Sequence, residues 1–133
     1  MRHELNFFGK NAKFSHVGIA VKSIKAINLN GKKIIDKTQN VSVAFAKLNG
    51  LQIELIEPLN DRSPINRNLE KGCRLVHLCY EVPDMDEALS ECRKYGFHSI
   101  AKSLPAEAFD QRKISWVYSK HFGLFELLES SKE

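Results

Sequence analysis

Apolar side chains alternate with small or polar ones in two short stretches, Val17, Ile19 and Val21, and later Leu78, Tyr80 and Val82. A period of two marks strands covered on one face. After the second stretch the period changes. Met85, Ala88, Leu89, Cys92 and Tyr95 recur at helical spacing, with Asp84 as a cap, Glu87 three residues on and Gly96 as a stop. Further strands are expected at Ser99–Ser103, more weakly, at Ile114–Ser119 and at Leu124–Leu128. Nearer the N-terminus, Val41–Leu48 and Leu51–Glu57 flank Asn49-Gly50, the preferred two-residue hairpin turn. Lys22–Ile27 starts like a helix, but Asn28, Asn30 and Gly31 would end it after little more than a turn. Ser63-Pro64 followed by Ile65, Leu69 and Gly72 predicts a short linker helix with Ser63 as its cap. Residues 1–13 form an arm before the first strand, and the polar C-terminal residues fray.

Laid against itself, the chain shows a repeat. The segments HVGIAVKSI from His16 and HLCYEVPDM from His77 share a His, a Val five residues later and an aliphatic residue three beyond that. Ile53-Glu54-Leu55-Ile56-Glu57 and Phe125-Glu126-Leu127-Leu128-Glu129 share apolar, Glu, apolar, apolar, Glu. The first pair opens each half and the second closes it. The expectation is an α+β fold in one domain: two tandem βαβββ modules, about 14–58 and 75–130, joined by a linker helix at about 63–72. They form a curved mixed sheet around a central cavity, with the first-module helix much shortened.

The 133 residues suit a single domain. With 43% hydrophobic and 27% charged residues the composition is that of a soluble globular protein. No apolar run approaches the roughly 18 residues of a membrane span, and the first residues lack a signal peptide's pattern, so a cytoplasmic protein is expected. Cys73, Cys79 and Cys92 lack CxxC spacing and read as reduced thiols. The net charge of +4 is scattered, which argues against nucleic acid and is compatible with a small anionic metabolite.

Strand alternation groups Glu54 with Gln52 and Ile56, and Glu126 with Leu124 and Leu128. A carboxylate among apolar neighbours costs several kcal/mol to desolvate unless it is paired or bound to a cation. His16 and His77 lie on the opposite strand face from Val17 and Leu78, so all four polar groups can face one concavity. Two imidazoles and two carboxylates suit one divalent ion: zinc, nickel, cobalt, manganese or ferrous iron. Taken singly, such a His or Glu is more often an ordinary structural or solvated residue. Duplication of a purely structural His and Glu is the rival account, and recurrence in both halves favours the metal. On the same reasoning Glu57 and Glu129 face the other way and are expected as surface charges. His3, His98 and His121 have no counterparts and are expected at the surface. Cys79 shares a face with His77 and is expected to be a small buried thiol. Arg112, Lys113 and Lys120 flank the strand from Ile114; Arg112 and Lys120 are candidates for holding an anionic substrate.

The stretches FSHVGIAVKSI, VSVAFAKLNGLQIELIEPLNDRSPINRNLEKG, VHLCYEVPDMDEAL and GLFELLE together resemble the glyoxalase and methylmalonyl-CoA epimerase branch of the vicinal oxygen chelate superfamily, over about residues 14–129. The resemblance implies metal ligands at His16, Glu54, His77 and Glu126. It also implies proton transfer next to a carbonyl, with the carboxylates Glu126 and Glu54 catalytic and Glu126 the favoured base. The substrate would be a small thioester or thiol adduct. Two features depart from the family: the shortened first helix, and the lack of a glycine-rich loop around Ala106–Arg112. Two other functions stay open, a non-catalytic small-molecule-binding protein of the resistance type and an iron-dependent ring-cleaving dioxygenase. A homodimer is compatible with the thin first module.

Overall fold

The computed structural model describes residues 3–27 and 32–131. Module 1 runs β1 (Lys13–Ala20), a single 3-10 turn (Lys25–Ile27), β2 (Ile34–Asp36), β3 (Val41–Leu48) and β4 (Leu51–Pro58). Helix α1 (Ile65–Lys71) leads to module 2: β5 (Leu75–Val82), α2 (Met85–Arg93), β6 (His98–Ser99), β7 (Leu104–Ala106), a second 3-10 turn (Glu107–Phe109), β8 (Arg112–Ser119) and β9 (Gly123–Glu129). The described strands form one mixed sheet in the order β2-β3-β4-β1-β5-β9-β8-β6, with β7 also paired to β8. The modules meet where β1 lies antiparallel to β5, while β4 and β9 run parallel to β1 and β5 respectively. The sheet therefore has an approximate two-fold axis between β1 and β5.

Local chemistry explains the elements. Asn49 and Gly50 both adopt positive φ, 48° and 90°, as a type I′ turn requires, and this fixes the β3–β4 register at Leu48 opposite Leu51. Asp84 Oδ1 accepts the Glu87 amide at 3.0 Å and caps α2. Gly72 closes α1 in the left-handed region. At the other end of α1, the Ser63 hydroxyl reaches only the Ile65 amide, at 3.4 Å, and Pro64 occupies the cap position. Of the expected strand Ser99–Ser103 only Ser99 lies in one, at the end of β6; residues 100–103 are irregular, and β7, which follows them, and β2 are strands that the alternation did not reveal. The first-module helix is the single turn Lys25–Ile27; Asn28, Asn30 and Gly31, which the sequence reading made its terminators, lie outside the described residues.

One apolar cluster fills the concave side, where Val41, Val43, Ile56, Ile65, Phe109, Ile114 and Leu128 are buried. A second lies under α2, where Met85, Ala88 and Cys92 pack on Val82, Val117, Phe125 and Leu127. The N-terminal arm joins this second cluster: Phe8 is buried, and the Phe7 ring stands 5.0 Å from Tyr95 and 4.6 Å from Phe122. On the corresponding outer face of module 1 only Ile24, Ala44 and Leu55 are buried together among the described residues, where one turn of 3-10 helix covers far less sheet than α2 does.

Candidate metal centre

Pairing across the sheet places two rows of residues side by side. One runs Phe45, Glu54, Gly18, His77; the other runs Trp116, Glu126, Cys79, His16. Each row has the order aromatic, Glu, small, His, and each joins a Glu of one module to the His of the other. Strand alternation points both rows into the concavity.

The four proposed ligands come together. His16, Glu54, His77 and Glu126 are all buried, and one donor atom from each lies within 4.8 Å of the other three. The Nε2 of His16 is 3.3 Å from Oε1 of both Glu54 and Glu126; the Nε2 of His77 is 3.4 Å from Glu54 Oε1 and 3.1 Å from Glu126 Oε1. These separations are not satisfied by hydrogen bonds. The Nε2 atoms of both histidines and Oε1 of Glu126 are buried without a hydrogen-bond partner. Donor atoms bound at about 2.0–2.2 Å to a common ion would themselves lie about 3 to 3.5 Å from their neighbours. A mixed nitrogen and oxygen set with orphaned, convergent donors fits a divalent ion.

Electrostatics agree. Burial opposes the charged form of His77, yet the two carboxylates outweigh it and raise its pKa to about 9. His16 is raised by the same balance. At Glu126 burial pushes the pKa up, but the two imidazoles prevail and bring it down to about 2. The carboxylates thus call for positive charge at the centre. Cys79 responds in the opposite sense, since burial first and the charges of Glu126 and Glu54 next push its thiol far up and leave it unreactive.

A cavity of about 500 Å³ opens from the centre, with Glu54, His77 and Glu126 in its wall. Val41, Val43 and Ile56 line it from module 1, Ile65 from α1, and Val76, Ile114, Trp116 and Leu124 from module 2. Thr38, Gln39, Asn40, Asn68 and Lys102 supply its polar atoms.

Other expected residues stand elsewhere. Arg112 Nη1 donates to Glu81 Oε1 at 2.9 Å and its Nε to the Phe109 carbonyl, and neither Arg112 nor Lys120 is among the residues lining the cavity. Their charges are taken by a neighbouring carboxylate and by solvent at a turn; the cation at the cavity is Lys102. His3, His98 and His121 are exposed. Glu57 and Glu129 are not surface charges. Glu57 Oε2 accepts the Ile24 amide at 2.7 Å and its Oε1 meets Lys33 Nζ at 2.8 Å; Glu129 Oε2 accepts the Met85 amide at 2.8 Å. Each takes an amide at the entry to its module's helical segment.

Gly18 was missed by the sequence reading. A Cβ there would stand 2.3 Å from His77 Cε1, so the glycine makes room for the imidazole across the row. The signal was present in the repeat, because Gly18 and Cys79 each follow a proposed ligand His by two positions and both are small. Phe45 and Trp116 were missed too, although each faces a proposed ligand Glu across its hairpin.

Comparison with known proteins is consistent with this geometry. The model of the Glyoxalase/Bleomycin resistance protein/Dioxygenase superfamily matches residues 15–116. Ethylmalonyl-CoA/methylmalonyl-CoA epimerase of Cereibacter sphaeroides is 26% identical over 121 residues, covering 83% of this chain and 90% of that protein. The uncharacterized protein YqjC of Bacillus subtilis is 35% identical over 115 residues, covering 79% and 81%. Among solved structures, the hypothetical protein BH1468 from Bacillus halodurans superposes with a TM-score of 0.74 at 27% identity, covering 93% of this chain and 98% of that one.

Proposed function

The chain belongs to the Glyoxalase/Bleomycin resistance protein/Dioxygenase superfamily, and from that premise we propose that it is a metal-dependent epimerase of a small acyl thioester of coenzyme A. The observation that carries the proposal is the buried, convergent set of His16, Glu54, His77 and Glu126 at the end of an apolar cavity. The likeness to an epimerase of ethylmalonyl-CoA and methylmalonyl-CoA supports the substrate class.

His16, Glu54, His77 and Glu126 would hold the divalent ion, which when bound supplies a Lewis acid for the thioester carbonyl and so acidifies the adjacent C–H. The apolar walls, Val43, Ile56, Ile114 and Leu124 among them, hold the acyl group and exclude water. Glu126 would hold the ion through one carboxylate oxygen and take the proton from the carbon beside the carbonyl with the other. Glu54, the counterpart of Glu126 in the other module, is the second carboxylate and returns a proton to that carbon, which completes the inversion. The polar groups Asn40, Asn68 and Lys102 meet the remainder of the thioester.

The test is exchange in deuterated water. Metal-loaded protein given a 2-methyl-branched malonyl thioester of coenzyme A is expected to wash deuterium into the carbon between the carbonyls. Glu126→Gln should slow this by about 100-fold or more. Protein that carries a full equivalent of metal yet incorporates no deuterium would refute the proposal.

A further inference from the structure

The two ligand histidines are not held in the same way. His16 has a partner for its second ring nitrogen, Ser15 Oγ at 2.9 Å from Nδ1. His77 Nδ1 is buried and has no partner. A metal-bound imidazole is ordinarily oriented by a hydrogen bond from that nitrogen, so the orientation of His77 must come from packing. On one side it lies against Gly18. On the other stands Trp116, its ring 4.8 Å from the imidazole at an interplanar angle of 88°.

Trp116 is itself tied down from the other module. Its Nε1–H donates to Gln39 Oε1 at 3.1 Å, across 77 positions of sequence. Gln39 in turn is gripped twice by Asp36: its side-chain amide donates to Oδ2 at 2.9 Å and its backbone amide to Oδ1 at 3.1 Å. Asp36 is fully buried, at 0% exposure, and spends its carboxylate on Gln39. In module 1 the equivalent aromatic, Phe45, meets His16 at 5.8 Å and 78°. It has no donor to satisfy, whereas an indole in a cavity wall needs an acceptor.

We propose that Asp36, Gln39 and Trp116 form a cross-module positioning relay that fixes the His77 imidazole for metal binding in place of the missing hydrogen bond at Nδ1. The relay reaches from the β2–β3 connection to β8 and makes part of the cavity wall, since Gln39 and Trp116 both line it. The claim rests on the metal reading of the four ligands, and the two are separated by experiment.

In the metal-free protein, NMR reads the relay directly through the chain's one tryptophan. The Trp116 indole proton is expected to exchange slowly, and the His77 ring protons to carry the ring-current shift of a fixed neighbour. Gln39→Leu should speed the indole exchange at least tenfold and move the His77 ring signals toward those of Trp116→Leu, with Gln39→Met a milder variant in the same direction. His77 signals unmoved in both variants would overturn the relay. With Co²⁺, Gln39→Leu should weaken binding about tenfold, the scale of losing an outer partner of a ligand. The same change made on Trp116→Phe should weaken it by less than about twofold, because the group that Gln39 holds is gone. An equal loss in both backgrounds would mean that Gln39 acts only on general stability, and would also overturn the relay. Wild-type protein that binds no Co²⁺ would refute the metal reading alone, leaving the NMR comparison to decide the relay.

Discussion

At Gly18 the absence of a side chain is what allows the neighbouring His77 imidazole to occupy its place. The residue lies between Glu54 and His77 in the row, where a methyl group would overlap the imidazole at 2.3 Å from Cε1. Relief requires His77 to turn or the strands to part, and overpacking of this kind costs about 1–3 kcal/mol. Gly18→Ala is therefore expected to lower divalent-ion affinity by about 100-fold, the upper range for disturbing a ligand's surroundings, as measured by equilibrium dialysis. Cys79→Ala makes the contrast, because it removes volume at the two-fold-related position without crowding His16. It should change affinity by less than about threefold. If Gly18→Ala binds like wild type, His77 is not a ligand in this orientation. His16, Glu54, His77 and Glu126 were legible in the sequence because each type recurs at the matching place in each half. Gly18, Phe45 and Trp116 were not, because their role depends on register across β1, β5 and the two hairpins, which a one-dimensional pattern does not contain. Gln39 was further out of reach, since its partner is 77 positions away.

The elements show why each closing strand carries two glutamates three residues apart. Three positions along a strand reverse the face, so Glu54 and Glu126 enter the cavity while Glu57 and Glu129 turn to the outer side. There each accepts the amide that begins its module's helical segment, Ile24 in module 1 and Met85 in module 2. Reading the outer pair as solvated charge failed because alternation gives a face and not what covers it. The same pattern did reveal α2 with its Asp84 cap, the Asn49-Gly50 hairpin and the curtailed first helix. It missed β2, whose Ile34–Asp36 is too short to show a period. Glu129→Ala should cost about 1–2 kcal/mol, the worth of a charged acceptor at a helix N-terminus. Glu57→Ala should cost more, about 2–3 kcal/mol, because a buried amide and Lys33 both lose their partner. Urea unfolding would measure both. Metal affinity should stay within about twofold of wild type, since neither side chain reaches the centre, and a large loss of affinity in Glu129→Ala would show that the two faces are coupled more tightly than the strand geometry implies.

Over the whole molecule the centre sits on the seam. Its donors come from β1 and β4 on one side and from β5 and β9 on the other, while β1 and β5 supply the backbone pairing that joins the modules. On the proposed reading the fold and the ion would be two separate ties across one boundary. The sheet persists without the ion, because the β1–β5 ladder and the concave core do not depend on it. The proposed ion would add a cross-link that only the folded chain can offer. At a free-ion concentration about 100 times Kd, binding to the folded state alone adds about 2.7 kcal/mol. For a chain of this size that corresponds to a rise of about 10 °C in Tm. Thermal unfolding with chelator and then with saturating Zn²⁺ or Co²⁺ should show this rise in the wild type. In Glu126→Gln, where a weaker donor replaces a carboxylate and the apolar wall is intact, most of the rise should vanish, and the metal-free Tm should fall by a few degrees, since His77 loses one of the two carboxylates that hold it protonated. A rise of equal size in the variant would place the ion elsewhere on the chain.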